Sequence, residues 1–210
     1  MKLIAQAKNQ FQQGVRGMFL KFLLPLVKSQ YIATCEGDDY FIDNQKLQKQ
    51  VDFLDANSAH TVCFHPVKVV FEGSDKYSFF PGAKVVEQGI NLENLLKSNF
   101  IQTNSAMYRR IDYASLSKAN FMPSDWYLHI YHAAQGSIAM LDEAMSVYRR
   151  HPDGVWSFNT SKQKMLKVGD MHILMYVETL ALLSEHENLK DIVYGNIIGL
   201  SKSVRQAYVD

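Results

Sequence analysis

Three carboxylates fall within four residues at Glu36-Gly37-Asp38-Asp39. An apolar run, Tyr31-Ile32-Ala33-Thr34-Cys35, leads into them, and Ile42-Asp43-Asn44 leads out into a helical pattern. This reads as a buried strand that ends in an acidic turn and is followed by a capped helix. Carboxylates this close repel one another unless a cation or a set of donors compensates them. Hard divalent cations such as Mg²⁺ and Mn²⁺ favour oxygen ligands of this kind. Two readings stand at this point, a solvated acidic turn and a metal site.

Three further stretches carry chemistry. In Ser124-Asp125-Trp126 the acid sits in the first turn of a helix, where it either caps the macrodipole or serves as a general base aimed into a cleft. In Tyr148-Arg149-Arg150-His151, followed by Gly154-Val155-Trp156-Ser157, the histidine can ligate a metal or touch phosphate, or simply face water, and the arginines can pair with phosphate or face water. The polar stretch Asn99-Phe100-Ile101-Gln102-Thr103-Asn104-Ser105 suits substrate hydroxyls or an ordinary loop. His65 reads as a core or edge histidine. His129 and His132, three residues apart on one helix with no carboxylate pattern beside them, are weak candidates for zinc. No Cys/His zinc spacing, P-loop, GxGxxG or GxSxG element occurs.

The elements that must position these residues are legible in outline. Phe11, Val15, Phe19, Phe22, Leu23 and Leu26 recur at helical spacing, with Pro25 ending or kinking that helix. Asn44 caps a helix whose buried stripe is Leu47, Val51 and Leu54. Thr61 to Phe71 is a strand, or a pair of strands bent at Pro66, and Glu72 to Gly89 is a loop. A short helix runs from Asn91 to Lys97, and Asn104 to Tyr108 is a strand. A clear helix spans Asp125 to Gln135 with Ser124 as N-cap and Gly136 as stop, and Ser137 to Leu141 and Ala144 to His151 are extended. Two helices close the chain at about 161–186 and 188–208. Strand and helix alternate through the first 150 residues, which argues an α/β layer with a partly parallel sheet. In such sheets ligands bind at the carboxyl ends of strands, where the acidic turn lies.

The 210-residue chain supports one domain with an appendage, and a boundary is expected shortly after Ser157. A net charge of +1 offers nothing for nucleic acid to bind. Cys35 and Cys63 lie in apolar runs and read as reduced core thiols of a cytosolic protein. The most apolar stretch, 18–27, is short and is interrupted by Lys21 and Pro25, so no transmembrane segment is expected.

Taken together, these pieces resemble the family 2 glycosyltransferases of the GT-A fold, in a bacterial subgroup reading Tyr-Ile-Ala-x-x-Glu-Gly-Asp-Asp-Tyr, here Tyr31 to Tyr40. The resemblance continues through Lys46 to Leu54, Cys63-Phe64-His65, Asn99-Phe100-Ile101, Ser124-Asp125-Trp126 and Tyr148 to Ser157, and covers roughly residues 9–158. It implies an incomplete, Rossmann-like GT-A mixed sheet flanked by helices over 1–158, with the donor-binding strands that family members carry before the acidic turn missing. A C-terminal helical pair over 159–210 follows. It also implies metal-dependent, inverting transfer of a sugar from a nucleotide-diphosphate sugar to an acceptor hydroxyl, with Mn²⁺ or Mg²⁺ as cofactor. By resemblance, Asp39 and His151 hold the metal. Asp38, Glu36 and Arg150 face the donor, Asp125 is the catalytic base, and Asn99, Thr103 and Trp126 face the acceptor. The expected partners are the nucleotide-sugar and a glycan or lipid-linked acceptor in cell-surface polysaccharide biosynthesis. The expected location is the cytoplasm, with peripheral contact at the inner face of the membrane. A different expectation is a catalytically inactive remnant that acts as an interaction module and self-associates through an exposed helix at 11–27.

Overall fold

The computed structural model describes residues 4–157 and 160–209, so the expected boundary at 158/159 lies outside the described residues. Eight strands form two four-stranded mixed sheets. The first has the order β1 (Tyr31–Ala33), β6 (Met107–Arg109), β3 (His60–Phe64) and β7 (Ser137–Met140). Within it β6 runs antiparallel to both β1 and β3, while β3 and β7 are parallel. The second has the order β2 (Tyr40–Phe41), β8 (Ser146–Arg150), β4 (Val67–Phe71) and β5 (Tyr77–Phe80), with β4 and β8 parallel.

Pro66 explains why there are two sheets. It has no N–H for a ladder, so the Val- and Phe-rich run 61–71 breaks there, and its halves β3 and β4 join different sheets. Both halves bury alternate or successive side chains, Val62, Cys63 and Phe64 fully, then Val67 and Val69.

The six α-helices are α1 (Lys46–Ala56), α2 (Ala83–Gln88), α3 (Leu92–Lys97), α4 (Ser124–Ala133), α5 (Ser161–Leu180) and α6 (Lys190–Val209). Helix α4 is buried along nearly its whole length because sheet one covers one side and α3 and α5 cover the other. Helices α5 and α6 form the expected terminal pair. Met175 and Tyr176 of α5, Val193 of α6 and Leu183 of the 3₁₀ turn after α5 join the same apolar cluster as Val62, Tyr108, Ile130 and Tyr131. Both helices also reach one backbone oxygen: Tyr176 Oη and Asn196 Nδ2 donate to the Leu96 carbonyl, at 3.3 and 2.9 Å. Among the described residues no helix is long and apolar enough to cross a membrane.

Several local expectations need correction. The helix expected over 11–27 reduces to one π-turn at Phe19–Leu23 and a 3₁₀ turn at Leu24–Leu26. Gly14 and Gly17 take positive φ values of 85° and 65°, a conformation that breaks any helix running into them. Leu20 and Leu24 are the residues this segment buries, while Phe11, Phe22, Leu23 and Leu26 stay exposed. In α1 the fully buried residues are Lys46, Gln50 and Leu54, and Leu47 faces solvent, so the stripe is rotated from the apolar one. The Lys46 ammonium is held by Gln50 Oε1 at 2.8 Å and lies 4.3 Å from the centre of the Phe41 ring, which makes burial tolerable. Burial still pulls its pKa down to about 8. Asn44 does not cap α1; Gln45 occupies the cap position, and Asp43 Oδ1 accepts from its N–H at 2.8 Å. The segment 72–89 contains β5 and α2 rather than a structureless loop. Ser124 is the first residue of α4 instead of its cap. Cys35 is exposed, and only Cys63 is a core thiol.

Candidate functional site

The carboxyl end of β1 delivers the acidic turn to the edge where the two sheets meet. Asp39 N–H closes the turn on the Glu36 carbonyl at 3.2 Å. Strand β2 follows at once and pairs with β8, so the turn is fastened beside the residues that end β8. Helix α4 begins across from it. A cleft of about 680 Å³ opens between these elements. Its walls include Glu36, Asp38, Asp39, Asn99, Thr103, Asp125, Trp126, Arg150 and His151. All nine residues singled out in the sequence therefore share one cavity, although they span more than a hundred positions.

Each carboxylate has a distinct environment. Asp39 is clamped at both oxygens: Asn104 Nδ2 donates to Oδ2 and the Arg149 backbone N–H to Oδ1, each at 2.9 Å. Burial nonetheless pushes its carboxyl up to about 6, since the Arg149 N–H only partly offsets the lost water and Asp38 adds repulsion. Asp38 Oδ2 lies 3.1 Å from His151 Nε2. Glu36 opens to the cleft on one side, yet the walls strip enough water to push its carboxyl up to about 7. The nearby Thr103 hydroxyl works against that rise and the Asp125 charge reinforces it. Asp125 Oδ2 accepts from Thr103 Oγ1 at 3.0 Å, and Thr103 is itself fixed because its carbonyl accepts from Thr34 Oγ1 at 3.0 Å.

Two of the residues assigned to the acceptor by resemblance are tied into the protein. Thr103 spends its hydroxyl on Asp125, so it orients that carboxylate. Trp126 is only 7% exposed and its indole N–H donates to the Leu95 carbonyl at 2.9 Å, so it offers the cleft its ring and not its N–H. Asn99 accepts from the Ile101 N–H at 3.1 Å, and Arg150 lies 5.9 Å from the centre of the Phe71 ring.

Sequence reasoning missed Asn104 and His172. Asn104 was expected to open a strand, but it sits in a 3₁₀ turn at Thr103–Ser105. It is fully buried and donates to Asp39 and to the Val147 carbonyl, and it accepts from Ser146 Oγ at 3.0 Å. Nothing in a lone Asn within a polar run signals that role. His172, on α5, also lines the cleft. His65, His129 and His132 belong to the core. Tyr108 Oη and His129 Nδ1 are 2.7 Å apart, Tyr113 Oη and His132 Nε2 are 3.2 Å apart, and burial holds the two imidazoles down at about 4 and about 3.

The residues that the resemblance assigns to a divalent cation are Asp39 and His151, with Asp38 next to Asp39 in the turn. Among the described residues no group of three His, Cys, Asp or Glu side chains is placed to hold a metal ion. Mg²⁺ and Mn²⁺ do not need such a group, because a typical Mg²⁺ site takes one or two carboxylates and completes its shell from water and substrate phosphates. Asp38 faces His151 across the cleft wall, and Asp39 is fixed by Asn104 and the Arg149 N–H.

No family model matches the sequence. The chain is similar to an uncharacterized protein of Mycobacterium tuberculosis (strain ATCC 25618 / H37Rv) and to one of Mycobacterium bovis (strain ATCC BAA-935 / AF2122/97). Each is 42% identical over 190 residues, which cover 90% of this chain and 54% of the relative. The chain thus spans about half the length of the curated relatives it matches.

Proposed function

We propose that this chain carries the metal-diphosphate and catalytic-base face of a glycosyltransferase of the GT-A type. It would act on a nucleotide-diphosphate sugar and an acceptor hydroxyl, with inversion at the transferred carbon. The observation that carries this reading is the cleft itself, with Asp38, Asp39 and His151 on one wall and Asp125, oriented by Thr103, on another. A bound Mn²⁺ or Mg²⁺ supplies positive charge that offsets the charge developing on the departing diphosphate. Asp39 and His151 would hold that cation, Asp38 would face the donor beside it, and Arg150 would meet the diphosphate. Asn104 and the Arg149 N–H hold Asp39 in one rotamer, so the metal side of the cleft is preorganised. Asp125 Oδ1, the oxygen that Thr103 leaves open, takes the proton of the attacking hydroxyl. The same reading locates the protein at the cytoplasmic face of a bacterial membrane, where a glycan or lipid-linked acceptor for cell-surface polysaccharide is met.

Calorimetry with UDP in the presence of Mn²⁺ tests the reading without requiring the acceptor. The expected result is saturable heat that disappears on chelation and weakens about tenfold in Asp39→Asn, a loss of roughly 1.4 kcal/mol. Absence of heat at millimolar UDP, with and without Mn²⁺, overturns it for this chain.

A further inference from the structure

We propose that His172, on the C-terminal helix α5, is an acceptor-binding residue that engages a hydroxyl of a sugar held at Asp125. The inference rests on the glycosyltransferase reading and adds the acceptor side of the cleft to it. His172 and Lys164 bring α5 to the same cavity as Asp125 and Trp126. The Trp126 ring, next in sequence to Asp125, meets the His172 ring edge-on with centroids 5.4 Å apart. On its other side His172 stacks on Tyr176, with centroids 5.3 Å apart and planes 9° from parallel. The ring is therefore gripped by two aromatics at a fixed place beside the base.

Its nitrogens are what point to a ligand. His65, His129 and His132 each pair one ring nitrogen with a protein group. His172 is shielded from solvent at both Nδ1 and Nε2, and neither has a hydrogen-bond partner among the described residues. A polar group buried without a partner is costly, so a hydroxyl brought to either nitrogen from the cleft relieves that cost. Burial, and then the nearby Lys164 charge, hold the imidazole down at about 4, so it is neutral at physiological pH. A neutral imidazole offers one donor and one acceptor. A sugar hydroxyl, able both to donate and to accept, matches either ring nitrogen. A phosphate or carboxylate brings a negative charge that a neutral ring does not answer, and is the poorer match.

The test is the ¹⁵N spectrum of the histidine rings in the full chain, with UDP and Mg²⁺ present, titrated with methyl glucoside, methyl galactoside, methyl mannoside and methyl rhamnoside, and separately with inorganic phosphate. The His172 nitrogens are expected to shift saturably with at least one glycoside and to ignore phosphate. His172→Phe, which keeps the stacking, should bind that glycoside about tenfold more weakly, the loss expected for one hydrogen bond. His172→Gln, which keeps a donor and an acceptor, should retain part of the affinity. The proposal is overturned if no glycoside moves the His172 signals, if phosphate alone moves them, or if His172→Phe binds the glycoside as well as the unaltered chain. UDP binding is read separately by calorimetry, so a failed donor site and a failed acceptor residue give different results.

Discussion

Asp39 is the most constrained side chain in the cleft, and its constraint runs through Asn104. The Asn104 amide joins the acidic turn to β8 by donating to Asp39 and Val147, and its carbonyl accepts from Ser146 in the same strand. Replacing Asn104 with Leu removes all three bonds at a fully buried position and leaves the Ser146 hydroxyl and the Val147 carbonyl unsatisfied. The expected cost is roughly 1–3 kcal/mol of stability, seen as a lower urea midpoint with an unchanged slope. UDP–Mn²⁺ affinity should fall with it, because Asp39 loses the donor on Oδ2. A variant that keeps both the midpoint and the UDP affinity of the parent would show that Asn104 does not fix the turn. The same logic separates Thr103 from the acceptor. Its hydroxyl is committed to Asp125, so its chemistry is orientation of the base.

At the scale of elements, the turn from α4 to β7 sets how the base-bearing helix enters sheet one. Gly136 sits in that turn against β3. A Cβ there would lie 2.9 Å from the Ala59 carbonyl oxygen and 2.5 Å from Thr61 Cγ2. Neither neighbour is free to yield, since Ala59 O accepts from Ser137 N–H at 2.9 Å and Thr61 Oγ1 donates to the His132 carbonyl at 2.7 Å. Gly136→Ala is expected to cost about 1–3 kcal/mol, or several degrees of melting temperature for a chain of this size. Gly82→Ala, where a Cβ meets nothing within 4 Å, should be nearly neutral. Equal melting temperatures for the two variants would refute this account. The position of Gly136 was legible from the sequence as a helix stop, but its steric role was not, because that role comes from a strand 75 residues earlier. Helix α1 teaches the same lesson. Its apolar residues suggested one face, yet Lys46 and Gln50 are the ones buried, because the hydrogen bonds that permit it come from Gln50 itself and from Ser105, far along the chain.

At the scale of the molecule, the α/β class, the partly parallel pairing and the terminal helical pair were all readable from local pattern, because period and turn residues report on single elements. The grouping of strands into two sheets, and the convergence of Glu36, Asp125 and His151 on one cleft, depend on long-range packing that no local pattern encodes. That packing also buries charge in two opposing ways, and the balance fixes a response to acid. His65, His129, His132 and His172 are held at about 4, 4, 3 and 4, below the ordinary value of 6.5. Each contributes stability that is complete above pH 6.5 and is lost as pH falls toward its folded value, since the unfolded chain takes up the proton first. Glu36 and Asp39 are raised to about 7 and about 6, so they act in the opposite sense and favour the folded state as they protonate. Four histidines oppose two carboxylates, and the latter stop contributing once pH drops below their ordinary values of 4.5 and 3.8. The melting temperature should therefore fall between pH 6.5 and pH 4, by at least about 5 °C, and the histidine contribution should level off below that, where only His132 is still to be protonated. Asp39→Asn removes one compensating group, so its melting temperature should drop faster than the parent's over the same window. A parent curve that is flat or rising from pH 6.5 to 4, or a variant curve parallel to it, would mean that the buried histidines are not what holds the core neutral.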